Sequence, residues 1–429
     1  MATSTTAPSN AEVQAALRKI YLRNQAIMKR TNWQWETFST QGGGTVSPIA
    51  LSQPYKFTLL NETFYIKKLR MHWINFQYTV TTSTASGSAV GVNAFGLSAF
   101  LNVLRVQLGN DIYRIRAGAI PILLQTFGKY GLGYPFRGIN SQAYSYMLSG
   151  SSQGTTTANN SLITAAGSTT ANWYLDIPFA YLEKVYDPEG IVPSLSRAGV
   201  QVSFTTMESL AGDDATAYPF YEANGATISL GDANGNNPGY FAVEALTATQ
   251  NEVMSNKALA PFEVSSGFVI EENIYPLTAK NRQFFTFQGQ ASNLWLVKSI
   301  MVINNPGEVA GEAANNANLT YMALRYNKSK DIVVWDSENS PQNAPIPLTE
   351  LFIDQGETYG DLPPGVVVFD WASGTDPEYP NRHGYFDLGA LRDGGVSLSY
   401  NPSSGTLSPD AEVQFYNMYL VPDLFTVQA

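Results

Sequence analysis

Cysteine is absent from this 429-residue chain, which excludes disulfides, thiolate nucleophiles and Cys-ligated zinc. Charged residues make up only 14% of the sequence, whereas ordinary soluble domains carry roughly 25%. No hydrophobic run approaches the roughly 18 residues that a membrane-spanning helix needs. The opening MATSTTAPSNAEV has no apolar core of the kind found in signal peptides. We therefore expect synthesis and folding in a cytoplasm-like compartment, with stability from packing and hydrogen bonds.

Neutral polar residues, glycine and aromatics fill the place of the missing charges. Aromatic residues reach 12%, and this composition suits β-strands that pack through aromatic side chains and are joined by many turns. The formal net charge is −10. An acidic protein repels phosphate, so we expect no direct contact with nucleic acid.

Residues 9–30, SNAEVQAALRKIYLRNQAIMKR, differ from this body and predict a basic amphipathic helix. Ser9 and Glu12 have the spacing of a capping box. The apolar stripe at helical period consists of Val13, Leu17, Ile20 and Ile27. The cations are Arg18, Lys19, Arg23, Lys29 and Arg30. Residues 1–35 thus hold five cations against one acid, which leaves 20 basic and 34 acidic residues in the remaining chain.

Beyond a glycine-rich linker at 42–44, the hydrophobic period changes from 3.6 to two. Many short strand patterns separated by Gly, Asn or Pro predict β-sandwiches and argue against a βαβ sheet. Two polar segments, 138–172 and 205–239, are too long for ordinary connections. Because they contain Tyr, Phe and Met, we interpret them as ordered surface loops.

A faint internal repeat indicates two copies of one β domain. AGVQVSF at 198–204 resembles GGVSLSY at 394–400, an offset of 196, and residues 104–106 match 300–302 at the same offset. The strand pattern breaks at 251–264. The predicted domains are therefore an arm at 1–35, a first β domain at 36–253 and a second at 254–429.

Few residues suggest chemistry. His72 lies beside Trp73 in a strand pattern, and we interpret it as a residue packed in the sandwich or lying at its rim. His383 lies in a turn-rich segment that we interpret as a surface loop. GSSQG at 150–154 formally matches the nucleophile elbow around Ser152, but the strand-to-helix flanks of that motif are missing. We predict no catalytic residue and no cofactor.

One acidic turn has a weak calcium-binding pattern. Asp232, Asn234 and Asn236 occupy positions 1, 3 and 5 of a calcium loop, but Asn237 replaces the turn glycine at position six. Val243 stands where position twelve requires glutamate. We interpret the segment as a tight turn and keep calcium as a weak option.

The order of several segments resembles a known family. The basic helix is followed by FGLSAFLNVLRVQLGNDIYRI (95–115), IPFAYLEKVYDPEG (177–190), NLWLVKSIMVINNPG (293–307), LPPGVVVFD (362–370) and GGVSLSYNP (394–402). This order resembles the double jelly-roll major capsid proteins of tailless, internal-membrane (tectivirus-like) bacteriophages, which are related in fold to adenovirus hexon.

The resemblance implies an all-β chain of two jelly-roll sandwiches in tandem, with an N-terminal amphipathic helix and long surface loops. It implies a structural virion protein, made in the host cytoplasm, that forms trimeric pseudo-hexameric capsomers of an icosahedral shell over an internal membrane. The implied partners are itself, neighbouring capsomers, minor capsid and vertex proteins, and the inner membrane through the arm.

Three alternatives remain open. The chain could be another virion component, such as a vertex or spike protein. It could also be a carbohydrate-binding or carbohydrate-cleaving β-sandwich, since seven Trp and 24 Tyr suit sugar stacking. Trp73, Trp295 and Trp335 lie in strand patterns, however, and are expected to face cores. Finally, the helix could pack on its own sandwich, with its charges simply solvated.

Overall fold

The computed structural model describes residues 33–37, 39–40, 47–59, 64–108, 111–127, 162–178, 192–193, 200–249, 268–287, 295–327, 330–337, 362–370, 386–387 and 394–420. The predicted helix at 9–30 and the predicted boundary at 251–264 lie outside these ranges, and both stay predictions. No helix among the described residues is long and apolar enough to cross a membrane.

The strands of the first half range from two to 18 residues in length. In chain order the elements are β1 (Gln34–Thr37), β2 (Ser39–Thr40), β3 (Pro54–Leu59), β4 (Phe64–Thr81), β5 (Ala89–Val92), β6 (Val103–Leu108), β7 (Asp111–Arg116), α1 (Ile120–Phe127), β8 (Leu162–Ile163), β9 (Gly167–Pro178), β10 (Val192–Pro193), β11 (Val200–Thr205), β12 (Phe220–Ala223), β13 (Thr227–Leu230) and β14 (Tyr240–Thr249).

The second half is again built from strands. They are β15 (Phe268–Pro276), β16 (Gln283–Thr286), β17 (Trp295–Asn304), β18 (Leu319–Asn327), β19 (Lys330–Asp336), β20 (Val366–Asp370), β21 (Phe386–Asp387), β22 (Gly395–Tyr400) and β23 (Glu412–Leu420). Three short 3-10 turns complete the described elements, at Gly96–Phe100, Ala117–Ala119 and Asn316–Asn318.

The first half folds as two large antiparallel sheets around one core, with a third, three-stranded sheet of order β12-β5-β8. One sheet has the order β1-β14-β4-β10, with β9 and β13 also on β4, and the other has the order β2-β3-β11-β6-β7. Alternate residues of β11 point inward, because Val200, Val202 and Phe204 are buried while their neighbours are not. Aromatic edge-to-face contacts join the sheets, as between Phe204 and Phe241, whose ring centroids lie 5.0 Å apart.

The second half repeats this arrangement with its own core. Its sheets have the orders β15-β23-β17-β20 and β16-β22-β18-β19, and β21 pairs with β17. Phe415 of β23 lies 6.1 Å from Phe285 and 5.6 Å from Phe287 between ring centroids. Within the described residues, no sheet contains strands from both halves.

The two sandwiches correspond strand by strand in chain order. Strands β1, β14, β4 and β9 take the places of β15, β23, β17 and β20, and strands β3, β11, β6 and β7 take those of β16, β22, β18 and β19. The first repeat predicted from sequence lies on equivalent strands, β11 and β22. The second was wrong, because residues 104–106 lie on β6 and residues 300–302 on β17, whose equivalent is β4. A three-residue match of mostly apolar residues is common among β-strands and cannot establish which strands are equivalent.

The segment 205–239 is not the long loop that its polar composition indicated. It contains β12 and β13, of which β13 pairs with β4 and β12 with β5. Phe220 is fully buried, so the segment is part of the first core. The other predicted loop, 138–172, is shorter than expected because β8 begins at Leu162 and β9 at Gly167. Its residues before 162 lie outside the described ranges.

Candidate assembly surfaces

The outer face of one second-sandwich sheet is buried on the first sandwich. Along β17 the side chains alternate: Met301 and Ile303 lie in the second core, whereas Ile300 and Val302 join the core cluster of the first sandwich. Val366 and Val368 of β20 and Tyr416 of β23 join the same cluster. We call this surface, Ile300, Val302, Val366, Val368 and Tyr416, the covered face.

Hydrogen bonds surround this apolar contact. The Lys298 ammonium donates to the carbonyl of Thr126 at the end of α1 over 3.0 Å. The Asn304 amide donates to the Asp214 carboxylate over 3.1 Å, and the Gln414 amide donates to the Thr216 hydroxyl over 3.2 Å. Buried polar groups need such partners, so the geometry fixes one sandwich relative to the other.

A charged cluster lies at one edge of the contact. Arg116, at the end of β7, places Nη1 2.7 Å from Glu412 Oε1 and Nε 3.6 Å from Glu272 Oε1. The Tyr416 hydroxyl lies 3.2 Å from the same Glu272 oxygen. Burial raises the pKa of Glu272, and the Arg116 charge only partly opposes that effect. Burial, reinforced by the charge of Glu272, also raises the pKa of Tyr416 well above its ordinary value.

The equivalent face of the first sandwich is partly exposed in the part of the chain that the structure describes. Trp35 of β1, 39% exposed, lies beside Arg70 of β4, whose guanidinium carbon is 4.5 Å from the indole centroid. The same carbon lies 4.2 Å from the ring centroid of Tyr174. His72 Nε2 is 2.8 Å from Glu244 Oε2, and both side chains are partly exposed. We call this surface, Trp35, Arg70, His72, Tyr174 and Glu244, the uncovered face.

The residues predicted from sequence are placed as follows. His72 is partly exposed and paired with Glu244, and Trp73 beside it is fully buried. Trp335 packs against the second core and donates its ring N–H to the carbonyl of Leu319 over 2.8 Å. The side chain of Trp295 is not among those described. Ser152, His383 and the residues of the basic arm lie outside the described ranges.

The proposed calcium loop forms a turn. Asp232 Oδ1 accepts hydrogen bonds from the amides of Asn234, over 2.8 Å, and Asn236, over 2.9 Å. The amide of Asp232 donates to the carbonyl of Asn236 over 2.7 Å, which closes the turn. Among the described residues there is no group of three or more His, Asp or Glu that could hold a metal ion. The calcium option stays a prediction.

Sequence reasoning missed Arg116, Glu272 and Glu412, and also the stacking of Arg70. Their partners are far apart in the chain, so no local spacing marks them. The available signal was a charged residue flanked by apolar residues in a strand, as in YRIRAG around Arg116. Such a residue has to find a partner once its strand is packed.

No protein-family model and no curated protein matches the sequence. Solved structures do match over nearly the whole chain. The crystal structure of the STIV MCP has a TM-score of 0.53 at 12% identity and covers 93% of this chain and 99% of its own. The fold is the double jelly roll. The atomic structure of Sulfolobus Turreted Icosahedral Virus gives a TM-score of 0.52 at 11% identity, with 91% of both chains covered. The PBCV-1 virus capsid gives 0.50 at 12%, with 91% and 94% covered.

The predicted fold class, two jelly-roll sandwiches in tandem, is thus confirmed. A double jelly roll also explains why the strands of the two halves correspond in chain order. At these identities the similarity establishes the fold alone.

Proposed function

We propose that this protein is a non-enzymatic major capsid protein that forms homotrimers, and that these capsomers build an icosahedral shell. The observation that carries the proposal is the contrast between the covered and uncovered faces. Within one chain, the first sandwich covers an outer sheet face of the second. The same face of the first sandwich is partly exposed: Trp35 is 39% exposed, and the side chains of His72 and Glu244 are 23% and 32% exposed.

A contact that joins two different surfaces is heterologous, and its repetition closes a ring when the rotation allows. Each chain supplies two sandwiches, so three chains supply six. In this ring the second sandwich of one chain covers the uncovered face of the next. The fold shared with the capsid structures named above supports this assembly.

The alternative of a carbohydrate-binding or carbohydrate-cleaving protein finds less support. A sugar-binding sandwich needs exposed aromatic rings, but Trp73 and Trp173 are 0% and 3% exposed. Trp35 is exposed, but the guanidinium of Arg70 already lies over its ring.

The remaining parts of the proposal rest on the sequence. The shell encloses an internal membrane, and the basic arm contacts that membrane or a neighbouring capsomer. Cations near an anionic bilayer contribute roughly 1 kcal/mol each, and the stripe of Val13, Leu17, Ile20 and Ile27 supplies apolar area. Further partners are minor capsid and vertex proteins in the virion.

The test is the mass of the protein in solution. A trimer of 46.8 kDa chains has a mass of about 140 kDa by light scattering. Arg70→Glu places a carboxylate beside Glu244 and removes both ring contacts, so it should shift the protein toward monomer. Lys56→Glu, on the opposite sheet of the same sandwich, is the matched control and should stay trimeric. A wild-type protein that is monomeric at micromolar concentration refutes the capsomer.

A further inference from the structure

A row of cations crosses the other sheet of the first sandwich. Lys56 of β3 pairs with Ser203 of β11, Ser203 pairs with Arg105 of β6, and Arg105 pairs with Arg114 of β7. The four residues therefore lie side by side on four neighbouring strands. With strands about 4.8 Å apart, the row spans roughly 14 Å. We call Lys56, Arg105 and Arg114 the basic row.

The row lies on the outer face of its sheet. The residues that follow each cation, Phe57, Val106 and Ile115, are buried in the first core. Successive residues of a strand point to opposite faces, so the three cations point away from that core. Lys56 and Arg114 are exposed, and Arg105 is half-buried.

The basic row has no counter-charge within the described part of the chain. None of its three side chains takes part in an ion pair there, whereas Arg116, two residues further along β7, binds two carboxylates. Like charges directly opposite each other destabilise a sheet. Arg105 and Arg114 are directly opposite, and no acidic residue in the described ranges forms an ion pair with either of them.

The second sandwich provides an internal comparison. On the equivalent strands, Ser399 of β22 pairs with Tyr321 of β18, and Tyr321 pairs with Asp336 of β19. Arg282, which directly precedes β16, lies with its guanidinium carbon 3.9 Å from the Tyr321 ring centroid and its Nη2 3.9 Å from Asp336 Oδ2. In place of Lys, Arg and Arg, this row has Arg, Tyr and Asp and is neutralised internally. The jelly-roll sheet therefore does not require three cations at these positions.

We propose that the basic row is a docking surface for a carboxylate-rich surface of a second copy of this chain, in a neighbouring capsomer. The inference rests on the proposed function, because it names the contact between capsomers. Two observations favour another copy as the occupant. Outside residues 1–35 the chain has 34 acidic against 20 basic residues, so each copy presents carboxylates.

The second observation is Arg116. It belongs to the same strand and the same face as Arg114, and the partners it binds are Glu272 and Glu412 of a jelly-roll sheet. Strand β7 thus already binds carboxylates of the other sandwich within one chain. The basic row lies on the same face of the same sheet as Arg116. Phosphate of a lipid is the alternative occupant, and the vesicle experiment below distinguishes it from a second copy.

The experiment compares two variants with the wild-type protein. The first carries Lys56→Gln, Arg105→Gln and Arg114→Gln together, and the matched control carries Arg282→Gln in the neutralised row. Sedimentation velocity at increasing protein concentration and at several salt concentrations separates trimers from larger assemblies. Circular dichroism checks that each variant is folded.

We expect the triple variant to stay trimeric but to associate into larger particles about tenfold more weakly per contact, because three exposed ion pairs combine to roughly that factor. The salt dependence of association should fall with it. The control should associate as the wild-type protein does.

The outcomes are distinguishable. A monomeric wild-type protein refutes the proposed function. Trimers with wild-type association in the triple variant, or wild-type trimers that never associate in a salt-dependent way, refute the docking surface alone. Flotation with anionic vesicles completes the test. Vesicle binding that is lost in the triple variant, with unchanged self-association, assigns the row to lipid and overturns the inference.

Discussion

Replacing Arg116 should reveal how the two jelly rolls are held together. Arg116→Met keeps the length and apolar stem of the side chain but leaves Glu412 and Glu272 side by side at the edge of the contact. Removing one partner of a buried ion pair costs about 3–5 kcal/mol. The Arg116 side chain is 27% exposed, which reduces that cost, so we expect a loss of about 2–3 kcal/mol in the free energy of unfolding.

The contribution of the carboxylates that lose their cation can be measured separately. Adding Glu272→Gln and Glu412→Gln to Arg116→Met removes both unpaired charges while preserving similar shapes. We expect this triple variant to regain more than half of the loss, because uncompensated charge is the main penalty when an ion pair is broken.

Urea denaturation followed by tryptophan fluorescence is the assay. The second sandwich depends on this contact to cover Ile300 and Val302, so loss of the contact should also separate one unfolding transition into two. A single variant within about 0.5 kcal/mol of wild type would refute the reasoning, since surface substitutions fall in that range. A triple variant no more stable than the single one would show that packing, and not charge, holds the edge.

Three further predictions concern other parts of the chain. The pKa of Glu272 is raised, so the folded state binds the carboxyl proton more tightly than the unfolded chain does. The resulting stabilisation is present below pH 4.5 and is lost as pH rises through the folded pKa. Glu272→Gln should therefore flatten that part of a curve of stability against pH. Gly225→Ala introduces a side chain at φ +76° with Ser83 Oγ 3.2 Å from the new Cβ, and should cost about 1 kcal/mol in thermal unfolding. Replacing the five arm cations with Gln should weaken flotation with anionic vesicles at low salt and leave neutral vesicles unaffected, whereas equal flotation of wild type and variant would remove the membrane role of the arm.

The fold class was predictable because burial in a sandwich imposes a period of two on every strand. The match between AGVQVSF and GGVSLSY was also informative, because β11 and β22 occupy central positions where both neighbours restrict the sequence. The segment 205–239 was interpreted as a loop because polar residues predominate in its sequence. A local signal was present: Asn224 and Gly225 both have positive φ, and Asn-Gly is a strong marker of a tight reversal between strands.

The assembly surfaces were beyond the reach of sequence reasoning for a different reason. The guanidinium of Arg70 stacks on the rings of Trp35 and Tyr174, which come from two other strands. Strand pairing brings these rings together only after the sandwich has closed. A periodicity argument assigns Arg70 to the outer face of β4, but it cannot identify what the neighbouring strands place beside it.

The covered and uncovered faces differ in a way that fits the proposed assembly. Four of the five residues of the covered face are aliphatic, and Ile300, Val302 and Val366 are at most 1% exposed. Its contact lies within one chain, so these side chains never have to remain soluble on their own. The uncovered face is polar and aromatic, with Arg70 stacked on rings and His72 paired with Glu244.

A surface that meets its partner only on trimer formation has to stay soluble in the free chain, because large exposed apolar patches promote aggregation. Aromatic residues and Arg suit such a surface, since they are enriched in protein interfaces yet keep a polar group in water. Duplication of one jelly roll therefore leads to opposite requirements on equivalent faces. Under the proposed assembly, the face that is buried within one chain is apolar, and the face expected to meet another copy is charged and aromatic.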